Sequence, residues 1–133
     1  LGTFAFGVAN GRKVYAAEAE RAALFAMKAA AGKKELQLFA EHRDLFRRPL
    51  TPAELNRFAA VILDPPRAGA REQVAELAKS DVPKIAYVSC NPSSFARDAK
   101  TLIAAGYVLR RIWPVGQFRW STHVELAGEF TRQ

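Results

Sequence analysis

Short apolar runs alternate with helix-forming stretches along most of this chain, and that alternation narrows its architecture more than any other feature. Val14–Ala17 reads as a strand ending at Glu18, followed by an alanine-rich helix from about Ala19 to Ala31 that Gly32 terminates. Leu36–Ala40 is a second strand, with Asp44 just beyond it. Thr51-Pro52-Ala53-Glu54 has the form of a capped helix start with proline in the first turn. Ala60–Leu63 is a continuous apolar strand of the kind buried on both sides in parallel sheets. A helix from about Arg71 to Ser80 and a strand over Lys84–Ser89 come next. Ser93 or Ser94 then opens a helix that runs to Ala105 and closes at Gly106. Tyr107–Val115 and Val124–Phe130 make a final antiparallel pair. Ahead of all this, Leu1-Gly2-Thr3-Phe4 sets a glycine turn before an apolar, helix-like stretch to Ala9. The pattern predicts an α/β chain with a mostly parallel sheet and helices on both faces. No repeat or linker interrupts it, and 133 residues suit one domain with one core.

The strand tips carry the chemistry. Glu18, Asp44, Asp64 and Cys90 each follow an apolar run. Ligands of open α/β sheets sit at the carboxyl ends of strands, and carboxylates there are costly unless solvated or paired with a ligand. An acid that closes a strand after a glycine turn takes the ribose hydroxyls of a nucleoside cofactor. Gly2 followed by Glu18 therefore points to an adenosyl ligand. Cys90 is the single cysteine of the chain. A lone cysteine is commonly a small buried hydrophobe. This one lies past its apolar run, beside Ser89, Asn91 and Pro92, where a helix begins. Helix N-termini favour thiolates, and with Asp64 at the neighbouring tip the pair points to covalent chemistry.

Charge supplies a weaker indication. The formal net charge is +7, with basic residues at Arg43, Arg47, Arg48 and Arg57 and again at Arg110, Arg111 and Arg119. That excess suits a polyanion such as RNA, although a merely solvated basic face has the same composition. One cysteine excludes an internal disulfide and a cysteine-built zinc or iron–sulfur centre, so no metal site is expected. A reducing, cytoplasmic setting fits that usage. No apolar run has transmembrane length, no signal-peptide pattern is present, and no membrane partner is expected.

Four motifs, in order and spacing, resemble one known family. They are Asp64-Pro65-Pro66-Arg67, Tyr87-Val88-Ser89-Cys90-Asn91-Pro92, Phe95-Ala96-Arg97-Asp98 and His123-Val124-Glu125. The chain is similar over essentially its whole length to the RNA uracil-C5 methyltransferases, which use S-adenosylmethionine to make 5-methyluridine in tRNA or 23S rRNA. The resemblance implies a Rossmann-like methyltransferase fold and an RNA substrate, with 23S rRNA favoured over tRNA. It assigns Cys90 as nucleophile, Glu125 as general base and Glu18 as the acid on the cofactor ribose. Gly2, Thr3, Asp44 and Asp64 match further cofactor-site positions, Asp64 also lying near the target base. Gly116 stands where many relatives carry an acid before Gln-Phe, so that acid has no counterpart here.

The chemistry explains these residue types. Carbon 5 of uracil is a poor nucleophile until a thiolate adds at carbon 6 and turns the ring into an enolate. The carbon-5 proton must later leave to a base. A side chain reaches carbon 6 only if the nucleotide is unstacked, by flipping or in a single-stranded loop. Apart from the resemblance, Glu125 reads equally as an exposed strand carboxylate, His123 as structural or a base contact, and Phe118 and Trp120 as core aromatics that could stack on a base. Arg97 and Asp98 are expected to tie helix to sheet, and His42 has no expected role.

Two rival readings, another methyl transfer and a non-catalytic module, rank below this one. RNA cytosine-C5 enzymes carry a second cysteine after the proline of the preceding turn, where this chain has Arg67; amino-group methyltransferases carry an aromatic residue there. A non-catalytic RNA-binding module with the same fold has no need of Cys90 and Glu125 together. Leu1-Gly2-Thr3-Phe4 resembles only the back half of the family's first cofactor motif, so the chain looks like a C-terminal catalytic-domain fragment without the first, central strand. Edges beside Val14–Ala17 and Ala60–Leu63 are then expected to come together or to pair with another copy, giving self-association. The fragment alone is expected to be inactive and to bind cofactor poorly.

Overall fold

The computed structural model describes residues 9, 11–34, 36–116 and 124–133, and divides into two compact units, Leu1–Arg48 and Pro49–Gln133. In the first unit β1 (Val14–Glu18) and β2 (Leu38–His42) pair in parallel, Val14 with Leu38 through Glu18 with His42. The crossover is α1 (Arg21–Lys33), which buries Ala23, Leu24, Met27 and Ala31. That spacing is the apolar stripe of an amphipathic helix. Leu24 and Met27 pack with Ala40, flanked by Ala16 and Leu38. The sheet's other surface shows Tyr15 stacked on Phe39, with ring centroids 6.0 Å apart.

The helix and the second strand are both displaced from the sequence reading, to Arg21–Lys33 and Leu38–His42. The helix continues through Gly32 to Lys33, and Lys34 caps it with its N–H on the Ala30 and Ala31 carbonyls. Glycine permits a left-handed terminus without requiring one, and Gly32 is helical. The second strand starts at Leu38 rather than Leu36 because Leu36 still closes the helix, its N–H donating to the Ala31 carbonyl at 3.2 Å.

The second unit contains α2 (Pro52–Leu55), β3 (Val61–Leu63), α3 (Arg71–Ala78), β4 (Lys84–Ser89), α4 (Pro92–Ala104), β5 (Tyr107–Gly116) and β6 (Val124–Arg132). Thr51 makes the expected capping box with Glu54. The sheet order is β3-β4-β6-β5, with β3 parallel to β4 and β6 antiparallel to both its neighbours. The expected β5–β6 pair is present, and β6 also inserts beside β4. A register shift between Leu109 and Arg111 leaves Arg110 outside the β5–β6 pairing. The two sheets are separate, so among the described residues β1 pairs only with β2 and β3 only with β4.

Burial in β4 alternates: Ile85, Tyr87 and Ser89 are buried, while Lys84 and Ala86 are exposed. The buried face receives α4 through Phe95, whose ring lies 5.3 Å from Tyr87 edge-on and 6.1 Å from Phe130. A Cβ on Gly128 would meet that Phe95 ring at 2.6 Å, so the close packing of helix on β6 requires glycine there. Each such fully buried aromatic or aliphatic side chain is worth about 1.5–3 kcal/mol. β3 departs from the expected two-sided burial: Leu63 is buried but Ile62 is 38% exposed, consistent with its place at the sheet edge. The fourth helix begins at Pro92, ahead of the expected Ser93 or Ser94, with Asn91 as its cap.

Candidate active site

Strand directions bring three of the sequence candidates to one end of the second unit's sheet. β3 and β4 run parallel, so Asp64 and Cys90 follow their carboxyl ends, while antiparallel β6 begins there with Val124 and Glu125. The last β4–β6 register pair is Ser89 with Leu126, which makes Cys90 and Glu125 the next residue on each strand. Glu125 pairs with Val115 on its other side. Cys90 is a half-buried, unbridged thiol.

Partial burial, and after it the like charge of Glu125, raises the Asp64 carboxyl above its ordinary range. Glu125 therefore sits within electrostatic reach of Asp64, and its charge opposes ionisation of the Asp64 carboxyl. Asp64 still meets solvent. The folded state binds its proton more tightly than the unfolded chain, so ionisation of Asp64 costs stability as pH rises through the unfolded value of 3.8 and beyond. Asp64→Asn is accordingly expected to stabilise the protein slightly near neutral pH, by less than about 1 kcal/mol after solvent screening. Denaturant titration at pH 7 checks this; a clear loss of stability would contradict the repulsion.

The turns bearing these residues are bonded together. Asn91 Oδ1 accepts from the Ser93 N–H at 3.0 Å, and Asn91 Nδ2 donates to the Arg67 carbonyl at 3.0 Å. Ser89 Oγ accepts from the Asn91 N–H at 3.1 Å and donates to the Asn91 carbonyl at 2.9 Å. Behind them Asp98, only 1% exposed, accepts from the Ala70 N–H at 2.8 Å and from the Tyr87 hydroxyl at 2.6 Å. Its other oxygen takes Arg97 Nε at 2.9 Å, and Arg97 Nη2 also donates to the Ala68 carbonyl at 2.9 Å. The expected tie from Arg97 and Asp98 is thus to both sheet and loop. Gly69 adopts φ +83°, and a Cβ there would meet Asp98 Oδ2 at 2.7 Å. Sequence reasoning named Asn91 and Tyr87 within a motif but gave neither a role; Pro92 at the first helical position is the local signal that marks Asn91 as the cap.

Glu18 and Asp44 belong to the first unit: Glu18 is the last residue of β1, and Asp44 lies two residues past the end of β2. Glu18 Oε1 accepts from the Glu20 N–H at 2.9 Å, and the Glu18 carbonyl accepts from the Arg43 N–H at 2.9 Å. Asp44 Oδ1 accepts from the Phe46 N–H at 2.9 Å, and Asp44 Oδ2 lies 3.8 Å from Arg47 Nε. His42, with no expected role, holds the turn after β1 through Nε2 and the Ala19 carbonyl, 2.8 Å apart. A groove lined by Lys13, Leu36, Gln37 and Phe39 lies at the other, amino ends of these strands. Much of the nearby positive charge is engaged locally. Arg43 stands 3.8 Å from Glu41 and donates to the Arg48 carbonyl at 2.7 Å. Gly2, Thr3, Phe118, Arg119, Trp120 and His123 lie outside the described residues. Among the described residues no helix is long and apolar enough to cross a membrane, and no group of three or more His, Cys, Asp or Glu side chains is arranged to hold a metal.

Several known proteins are similar to this chain. An uncharacterized RNA methyltransferase of Zymomonas mobilis is 58% identical over 99% of this chain and 33% of its own length. The 23S rRNA (uracil(1939)-C(5))-methyltransferase RlmD of Pseudomonas fluorescens is 39% identical over 98% of this chain and 29% of its own length. The chain thus spans about a third of the length of the curated relatives it matches. Among solved structures, the tRNA (uracil-54, C5)-methyltransferase of Pyrococcus abyssi, in complex with S-adenosyl-L-homocysteine, superposes with a TM-score of 0.84 at 30% identity, over 98% of this chain and 32% of that one. Magnesium protoporphyrin IX methyltransferase from Synechocystis, with a TM-score of 0.72 at 14% identity over 99% of this chain and 69% of that one, shares the fold alone. The fold is therefore the Rossmann-like one of S-adenosylmethionine-dependent methyltransferases. The family model for tRNA (uracil-5-)-methyltransferases matches residues 19–132, and the chain belongs to that family.

Proposed function

We propose that this chain is the part of an RNA uracil-C5 methyltransferase that forms and resolves the covalent bond to the base, with Cys90 as nucleophile and Glu125 as base. The observation that carries the reading is the juxtaposition across β4 and β6. A thiol and a carboxylate occupy the next positions after the Ser89–Leu126 pair, with Asp64 in electrostatic reach of Glu125. Cys90 adds through its sulfur to carbon 6 of uracil, and the displaced electron pair makes carbon 5 nucleophilic. Once carbon 5 has accepted a methyl group, Glu125 takes the proton from carbon 5, and the Cys90 sulfur leaves as the carbon 5–carbon 6 double bond re-forms.

S-adenosylmethionine, when bound, supplies the electrophilic methyl group. Glu18 and Asp44 fit such a ligand, because one ends a parallel strand and the other lies just past one, each with one carboxylate oxygen already fixed by a backbone amide. Glu18 would accept from ribose hydroxyls; Gly2, Thr3 and Asp64 complete the proposed cofactor set. The substrate uridine is unstacked RNA, and 23S rRNA is favoured over tRNA. The 39% identity to the Pseudomonas fluorescens rRNA enzyme, against 30% to the Pyrococcus abyssi tRNA enzyme, supports that order. A cytoplasmic location goes with either RNA.

The test uses the full-length protein and its 23S rRNA. With Glu125→Gln, turnover is expected to fall by about 10²- to 10⁴-fold, and a denaturation-stable complex with ordinary uridine RNA should accumulate because the methylated adduct cannot lose its proton. Turnover within tenfold of the parent, and no trapped complex, would remove Glu125 from the role. Mapping 5-methyluridine in a strain lacking the parent gene decides the RNA: loss from 23S rRNA supports the choice made here, and loss from tRNA alone overturns it.

A further inference from the structure

We infer that Asn91 is a positioning residue for the Cys90 thiol, acting by locking the turn that bears Cys90 to the turn that bears Asp64; this rests on the reading of Cys90 as nucleophile. The orientation of the Asn91 amide follows from its partners. The Ser93 N–H is a donor only, so the oxygen of the amide must face it, which leaves Nδ2 for the Arg67 carbonyl. A small side chain that accepts on one side and donates on the other joins a helix start to a neighbouring loop. The loop in question runs directly from Asp64 to Arg67.

Other bonds show that this tie is not the one that holds the loop folded. Residues 68–70 are fixed from behind by Arg97 to the Ala68 carbonyl and by the Ala70 N–H to Asp98, at 2.9 and 2.8 Å. The Cys90 turn itself is closed by the Ser89 hydroxyl, which accepts from the Asn91 N–H and donates to the Asn91 carbonyl. What the Asn91 side chain adds is the spacing between the Arg67 end of one turn and the residue after Cys90 in the other. Reactions that depend on a near-attack geometry lose rate steeply with small displacements, so the expected signature is a slower chemical step in a protein that folds and binds normally.

The experiment compares Asn91→Ser and Asn91→Ala in the full-length protein. Serine also caps helices and is uncharged, but is too short to span to the Arg67 carbonyl. Single-turnover formation of the covalent complex with 5-fluorouridine RNA, equilibrium binding of that RNA and thermal melting are measured for both. Asn91→Ser is expected to melt within about 2 °C of the parent and to bind RNA equally well, yet to form the adduct at least tenfold more slowly, kcat falling with KM unchanged. Asn91→Ala is expected to lose both rate and melting temperature. An Asn91→Ser variant that forms the adduct within twofold of the parent rate overturns the positioning role and reduces Asn91 to a cap. If the parent itself forms no adduct, the proposed function fails and this inference fails with it.

Discussion

Cys90→Ala in the full-length protein is expected to abolish methyl transfer to uridine, with a loss of at least about 10⁴-fold in kcat, while leaving the fold intact. The size follows from what the sulfur supplies. Without an addition at carbon 6, carbon 5 has no electron pair to offer, and neither proton removal nor binding compensates. Cys90→Ser should fail nearly as badly, since a hydroxyl at neutral pH is a far weaker nucleophile than a thiolate. The structural cost should be small. Cys90 is half-buried at a bend, and the turn is held by Ser89 and Asn91 rather than by the thiol. A stability change below about 1 kcal/mol is the ordinary result for such a position. Methyl incorporation from labelled S-adenosylmethionine and a melting curve on the same preparation separate the two effects. Near-parental turnover in either variant would end the covalent mechanism and return Cys90 to the status of a small hydrophobe.

The order of strands and helices was legible because each apolar run is bounded by turn residues, and Lys84–Ser89 was read to the residue. Boundaries slipped where a local signal had two readings. Gly32 can end a helix or continue one, and Ser93 and Ser94 are good caps that Pro92 pre-empts, since proline's fixed φ suits the first helical position and hands the cap to Asn91.

What no local pattern carries is the insertion of β6 between β4 and β5. Chain order predicts the β5–β6 hairpin, but the β4–β6 ladder joins residues some forty apart and is chosen by burial of Phe130 and Gly128 under Phe95. That insertion sets Glu125 beside Cys90. The sequence resemblance named both residues without their spatial relation, and the ladder supplies it. The Asn91–Arg67 and Asp98–Ala70 bonds are of the same kind, spanning 24 and 28 residues with no periodic signature.

Asp98 is the position at which a single change should cost the most stability. Its carboxylate is 1% exposed and takes the Tyr87 hydroxyl, the Ala70 N–H and the Arg97 guanidinium at 2.6–2.9 Å. Alanine removes the acceptor of all three. Arg97, with its side chain 35% exposed, can turn to water, but Tyr87 and Ala70 are buried and keep unsatisfied donors. At about 1–3 kcal/mol for each orphaned group, Asp98→Ala should destabilise by about 3–5 kcal/mol, and Tyr87→Phe, which leaves the carboxylate two partners, by about 1 kcal/mol. Burial, and then the bond to Asp98 and its negative charge, raise the Tyr87 phenol well above its ordinary value of 10.0. The neutral phenol therefore stabilises the fold fully below pH 10, and that contribution is lost as pH climbs from there toward the raised folded-state value. Tyr87→Phe should lack this part of the alkaline decline. Denaturant midpoints at pH 7 and above pH 10 read both effects. An Asp98→Ala cost under about 1 kcal/mol would show that the loop from Ala68 to Ala70 keeps its place without the carboxylate, and the rear anchorage assigned to it would have to be withdrawn.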